Sequence, residues 1–201
     1  MYTPDFAFKE GIFLHFDQVR QNHPIPKSVI ITSIPYDDPD FFEKVLDNKI
    51  VQYFDELGSV QEIPVNDIWG FSQNGTLYIN MNDGYYRITI IGSICHFVAT
   101  LTTYDPYYNS YYPYASPYYY PYNPYSPYSG NTSKELRQYL LDFSTGEVLD
   151  YDVPELEVLL MADPELHDEY ASLGRRKKKQ QKFLYVRKFN ERNPLYFPAD
   201  P

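Results

Sequence analysis

The sequence is poor in cysteine, in glycine and in long apolar runs. One cysteine in 201 residues excludes a disulfide framework and any cysteine-based zinc site within one chain. No apolar run is long enough to cross a bilayer. The nine glycines form no phosphate-cradling loop, and the hydrolase signatures Gly-x-Ser-x-Gly and His-Glu-x-x-His are missing. The chain therefore has no familiar catalytic or cofactor motif, and we expect no cofactor.

Positive charge is also in short supply. The chain has 17 Lys and Arg against 27 Asp and Glu, a formal charge of −10. This balance disfavours a nucleic-acid partner. The hydrophobic content of 43% is enough for a core, and the length predicts one domain over residues 1–201.

Tyrosine is in excess, at 23 residues, and it is concentrated in one segment. Residues 104–128 hold 12 Tyr and 6 Pro and no Lys, Arg, Leu, Ile or Val. Proline removes backbone donors, and without aliphatic residues the segment lacks the side chains of a packed helix or a central strand. We therefore predict a flexible Tyr/Pro-rich insert at 104–130, between two strands.

This insert has two interpretations. It is either an unselected, solvated linker or a binding loop for a protein or glycan partner, since tyrosine gives large amphipathic contacts and proline stiffens the loop. The candidate contact residues are Tyr107, Tyr108, Tyr111, Tyr112, Tyr118, Tyr119 and Tyr120.

The rest of the chain predicts an α+β fold. An apolar run at 11–16 and a β-branched run at 28–33 indicate strands, and Asp38-Pro39 indicates the start of a helix. Asn74-Gly75 and Asp83-Gly84 are strong hairpin signals. We expect an antiparallel meander of about five to seven strands, with a short N-terminal helix and C-terminal helices packed on it.

The C-terminal part predicts helices. Val153-Pro154-Glu155 begins a short one, and Asp163-Pro164-Glu165 begins a charged helix expected over 164–192. Residues 183–189 have a periodicity that a strand also fits, but length and flanking charges favour helix.

Charge is segregated along this part of the chain. Nine acids and no bases lie between Glu147 and Glu169, and nine bases and one acid lie between Arg175 and Arg192. The pattern suits a solvated helix that neutralises its own dipole. The alternative is an anion-binding surface, although residues 1–174 carry 8 bases and 25 acids. Its candidate residues are Arg175, Arg176, Lys177, Lys178 and Lys179.

Candidate catalytic groups are few. Cys95 and His96 are neighbours in a predicted strand, so they face opposite ways, and we expect Cys95 to be a buried structural residue. Asp163 and His167 have a spacing that suits a metal, but no second histidine completes a set, so we predict no metal site. An enzyme is the less favoured alternative, a hydrolase using His96, Asp67 or Arg87 in a pocket at the sheet.

Four stretches carry a family resemblance: KEGIFLHFDQVRQNHPIPKS, DIWGFSQNGTLYIN, YYRITIIGSICHFVAT and DPELHDEYASLGRRKKKQQKFLYVRKFNERNPLYFP. They resemble an uncharacterised Bacteroidetes family, a domain of unknown function with a small sheet followed by a lysine-rich helix. Its members often begin with a secretory signal peptide, so the resemblance implies a periplasmic, cell-envelope or secreted location. Residues 1–5 lack the basic and apolar regions of such a signal. Together these features predict a non-catalytic envelope or secreted binding protein.

Overall fold

The computed structural model describes residues 6–82, 84–104 and 132–198. The chain divides into two compact units, one formed by Met1–Val98 with Gln138–Pro201 and the other by Ala99–Arg137. In the second unit the described residues are the ends of two strands. The seven candidate tyrosines of the insert lie outside the described residues.

In the described part of the chain, eight consecutive strands, β3 to β10, occupy the middle, and three helices follow them. The strands are β1 (Gly11–Phe13), β2 (Ile30–Ile31), β3 (Ile50–Phe54), β4 (Val60–Pro64), β5 (Gly70–Gln73), β6 (Thr76–Met81), β7 (Gly84–Ile90), β8 (Ile94–Tyr104), β9 (Thr132–Asp142) and β10 (Val148–Asp150). The helices are α1 (Phe16–Arg20), α2 (Phe41–Leu46), α3 (Val153–Leu160), α4 (Pro164–Ala171) and α5 (Arg175–Arg192), with 3₁₀ turns at Lys27–Val29 and Val65–Asp67. None of these helices is long and apolar enough to cross a membrane.

The predicted α+β class is confirmed. A seven-stranded sheet has the order β1-β5-β6-β7-β8-β9-β10, and its described pairings are antiparallel. Within the strand predicted at 28–33, only Ile30–Ile31 forms a strand, β2, and it belongs to a separate three-stranded sheet, β2-β3-β4. The turn between β3 and β4 of this sheet is stabilised by Asp55, whose Oδ1 accepts hydrogen bonds from the backbone of Leu57 and Ser59.

The two hairpin signals have different outcomes. Asn74 and Gly75 both have positive φ, 51° and 70°, and Gln73 pairs with Thr76, so this turn is confirmed. At the second signal Met81 pairs with Gly84, so the glycine begins β7 rather than completing the turn. Asn82 takes the left-handed conformation instead, with φ 54°. Asparagine tolerates that conformation better than most residues.

The prediction of one helix over 164–192 is wrong. The helical conformation is interrupted between α4 and α5, where the backbone of Gly174 is extended with ψ 149°. Glycine is a poor helix former, and the break lets both helices turn their apolar sides to one core. Residues 183–189 lie within α5 and are helical.

Two apolar clusters hold the larger unit together. One joins α2 to the small sheet and to Phe71 of β5. The other joins α3, α4 and α5 to Ile94 of β8 and Leu140 of β9. The C-terminal helices therefore pack beside the last strands of the main sheet.

A side-chain amide attaches α5 to the beginning of β8. Asn190 Oδ1 accepts a hydrogen bond from the Ile94 amide, and its Nδ2 donates to the Ile94 carbonyl, both at 2.8 Å. Gly92 leaves the room for this contact, because a Cβ at that position would lie 2.4 Å from the Asn190 amide. Ile94 is buried. Water therefore cannot replace the Asn190 side chain as hydrogen-bond partner of the Ile94 amide and carbonyl groups.

We predict that Asn190→Ala lowers the free energy of unfolding by about 2–4 kcal/mol, because it leaves a buried donor and a buried acceptor unpaired. Urea denaturation measures this change. Gln180→Ala, at an exposed position of the same helix, is the control and should change it by less than about 0.5 kcal/mol. Equal stability of the two variants would contradict the role given to Asn190.

Candidate functional site

The inner side of α5 is neutralised by the two helices before it. Three of its nine bases form ion pairs with acids of α3, of α4 and of the α4 cap. These pairs are Lys178 with Glu157 (2.5 Å), Lys188 with Glu169 (2.6 Å), and Arg192 with Asp163 (2.6 Å) and Glu165 (2.7 Å). The self-neutralising interpretation of the charge pattern therefore describes this side of the helix.

The contacts of Glu169 with Lys188 and Tyr185 also shift pKa values. The hydrogen bond from Lys188, followed by that from the Tyr185 hydroxyl, holds the pKa of Glu169 below its usual value. Burial together with the same carboxylate raises the pKa of Tyr185 to about 12. Glu169 is therefore ionised at neutral pH and accepts from both partners.

A fourth base, Lys182, is held by Tyr151. Its Nζ donates to the Tyr151 carbonyl at 2.5 Å and stands 3.8 Å from the centre of the Tyr151 ring. Burial lowers the pKa of Lys182 below its usual value. This ammonium group thus packs against Tyr151 and does not face solvent freely.

The outward face of α5 has a different character. We define it by five exposed bases and two half-exposed apolar side chains, Phe183 (41% exposed) and Leu184 (46%). The bases form no ion pair within the described part of the chain; they are Arg175, Arg176, Lys177, Lys179 and Arg187. Four of the five residues predicted for an anion-binding surface lie here. Lys178, the fifth, is paired with Glu157 on the inner side, so its inclusion is corrected.

His96 is buried against Phe183 of α5 and against Tyr151. It is 4% exposed and lies between the rings of Phe183 and Tyr151, with centroids 4.7 and 5.0 Å away. Its Nε2 is 3.1 Å from Gln138 Oε1 and its Nδ1 is 3.3 Å from Thr89 Oγ1. Burial is the main cause that lowers the pKa of His96 below its usual 6.5. The imidazole has the surroundings of a core residue.

The other residues of the hydrolase alternative do not join His96. Asp67 lies in the Val65–Asp67 turn and lines a shallow cleft that neither His96 nor Arg87 lines. Arg87 is exposed on β7 and makes no ion pair with any described carboxylate. These three residues therefore form no shared catalytic arrangement.

Cys95 is a buried free thiol, as predicted. Its Sγ donates to the Gly92 carbonyl at 3.3 Å, and burial raises its pKa to about 12. Asp163 caps α4 by accepting from the Leu166 amide, in addition to pairing with Arg192. Among the described residues no group of three His, Cys, Asp or Glu side chains is arranged to hold a metal.

A cleft that the sequence analysis missed lies between the end of α2 and strands β5 to β7. Its volume is about 790 Å³. We call it the aromatic cleft, and it is lined by Glu43, Leu46, Asp47, Asn48, Lys49, Val65, Asn66, Phe71, Tyr78, Asn80, Asn82, Gly84 and Tyr85. A signal was present in the sequence, because Tyr78 and Asn80 are two residues apart in β6, which puts an aromatic and an amide group on one face of the strand.

A larger cleft of about 960 Å³ lies beside α3 and the end of α5. Acids line it, and one of them, Asp142, accepts hydrogen bonds from Ser144 and Thr145 in its own turn. Its lining also includes aliphatic side chains such as Leu149 and Leu159. Other polar lining residues pair with one another: Arg20 forms an ion pair with Asp17, and the Ser93 hydroxyl donates to the Asn193 carbonyl.

Comparisons with protein-family models, with curated proteins and with solved structures find no match to this chain. The resemblance to a Bacteroidetes family therefore stays a prediction. The functional proposal depends on the geometry of the described residues.

We predict that acidification destabilises the protein through His96. Its folded-state pKa is lowered, so the unfolded chain takes up this proton first and stability falls as pH drops below the unfolded pKa of 6.5. His96→Gln should flatten the dependence of unfolding free energy on pH between neutral and weakly acidic solution, measured by urea denaturation. His23→Gln, at an exposed histidine, is the matched control. An unchanged slope in the His96 variant would contradict this assignment.

Proposed function

We propose that the protein is a non-catalytic binding protein that presents the outward face of α5 to an acidic surface of a partner protein. The observation that carries the proposal is that some bases of α5 are paired within the fold and others are exposed without a described partner. Unneutralised bases on a fixed helix attract anionic groups.

Apolar exposure beside these bases supports a protein partner. Lys179, Phe183 and Arg187 are four residues apart and so lie along one line of the helix. Arginine and aromatic side chains are enriched in protein interfaces, where the ring supplies contact area and the guanidinium pairs with carboxylates. Leu184 extends the apolar part of this face.

The dimensions of the face argue against a rigid nucleic-acid duplex or an anionic membrane. The 18 residues of α5 span about 27 Å, and residues 1–174 carry an excess of acids. A nucleic-acid duplex or an anionic membrane that extends past the helix would meet that acidic surface. An acidic patch on a protein is small enough to avoid it.

The environment of His96 supports a non-catalytic role. The imidazole is packed between two rings, and its two nitrogens are in hydrogen-bond contact with Gln138 and Thr89. It is therefore not accessible to a substrate. Binding through the tyrosine-rich insert and an envelope location stay predictions, because the described residues do not test them.

We predict that the chain binds fluorescein-labelled poly-L-glutamate through α5. Replacing Arg176, Lys177, Lys179 and Arg187 with serine should weaken this binding by about tenfold or more, because four attractive charges are lost. Fluorescence polarisation at increasing sodium chloride measures the affinity, which should fall with salt in the unmodified protein.

A control variant separates the face from total charge. Replacing Arg20, Lys49, Arg87 and Lys134 with serine removes the same charge from exposed positions outside α5 and should leave most of the affinity. Equal losses in the two variants would overturn the assignment to α5. Tighter binding to duplex DNA or to phosphatidylserine vesicles than to poly-L-glutamate would overturn the protein partner.

A further inference from the structure

The aromatic cleft contains one end of a stack of three rings. Phe42 stacks on Phe71 with centroids 5.2 Å apart, and Phe71 stacks on Tyr78 at 4.6 Å with planes 6° apart. Phe42 and Phe71 are buried, whereas Tyr78 is half-buried and lines the cleft. Its face opposite Phe71 contacts no other ring among the described residues. Arg87 of β7 is the cross-strand neighbour of Tyr78 on that side. Packing on Phe71 thus fixes the orientation of a tyrosine ring beside the cleft.

Two polar side chains hold the wall beside this ring. Asn80 Nδ2 donates to the carbonyls of Ile68 (2.8 Å) and Val65 (3.3 Å), and the Tyr85 hydroxyl donates to Val65 at 3.2 Å. These bonds use donors, so Asn80 Oδ1 and the Tyr85 oxygen keep acceptor capacity. The wall is therefore held in place and still able to accept hydrogen bonds.

The rim adds polar groups that the fold does not use. Asn66 and Asn82 make no side-chain hydrogen bond within the part of the chain that the structure describes, and both line the cleft. Each amide offers a donor pair and an acceptor. The carboxylates of Glu43 and Asp47 add acceptors.

The charge of the lining restricts the ligand class. Two carboxylates and one ammonium group, that of Lys49, lie among the described lining residues. The excess of negative charge disfavours phosphates, sulfates and uronates. A wholly apolar ligand is also disfavoured, because it would bury the amides without partners.

We propose that the aromatic cleft is a subsite for a neutral carbohydrate, with a pyranose ring stacked on Tyr78. The C–H groups on one face of such a ring carry slight positive charge and meet the negative face of the aromatic ring. Its hydroxyl groups are donors and acceptors, which match the amide and carboxylate groups of the rim. This site is separate from the outward face of α5, so it extends the proposed function and does not depend on it.

Titration of ¹⁵N-labelled protein with neutral tetrasaccharides of glucose, mannose and N-acetylglucosamine tests the proposal by NMR. At least one of them should shift the amide signals of residues 78–82 at millimolar concentration. Tyr78→Ala should weaken that binding by about three- to tenfold, and Tyr78→Phe should keep it, because the ring and not the hydroxyl stacks. Tyr196→Ala, at an exposed tyrosine elsewhere, is the matched control.

Asn66→Ala offers a second variant, should loss of the Tyr78 side chain disturb β6. It should weaken the same binding without changing the melting temperature, since Asn66 is exposed and makes no described side-chain hydrogen bond. Absence of shifts at residues 78–82 with every neutral tetrasaccharide would overturn the proposal. Stronger binding of adenosine or of sialyllactose at the same residues would overturn the ligand class.

Discussion

The attachment of α5 to the strand beside it determines which surfaces this fold presents. Asn190 pairs with both backbone groups of Ile94, and Tyr185, Val186 and Phe189 of the same helix are buried in the core. With those side chains turned inward, the rotation of the helix about its axis is fixed. Three bases that reach α3 and α4 then meet acids, and five other bases are exposed to solvent.

This constraint explains how far sequence reasoning reached. Local signals held at Asn74-Gly75 and at the helix start Asp163-Pro164, where a few adjacent residues decide the structure. The break at Gly174 was missed, because helix propensity alone does not show that two helices must share one core. The charge pattern located the candidate surface, but the identity of its residues depended on which side of α5 packs. That is why Lys178 was wrongly grouped with its neighbours.

The two proposed surfaces have complementary characters. The face of α5 is basic and convex, and it suits long-range attraction of acidic groups that salt screens. The aromatic cleft is concave and has a small excess of negative charge, and it suits short-range stacking and hydrogen bonding. Tyr78 serves the cleft because the packed rings of Phe42 and Phe71 support it. Both surfaces thus depend on core packing to fix their side chains.

The two-sided structure of α5 is tested most directly by lysine reactivity. Brief reductive methylation followed by peptide mass spectrometry, with and without poly-L-glutamate, measures each lysine separately. The account predicts fast labelling of Lys177 and Lys179 and protection of both by the polyanion, with slow labelling of Lys178 and Lys182 in either condition. Equal labelling of these four lysines, or protection of Lys178 and Lys182 alone, would contradict it.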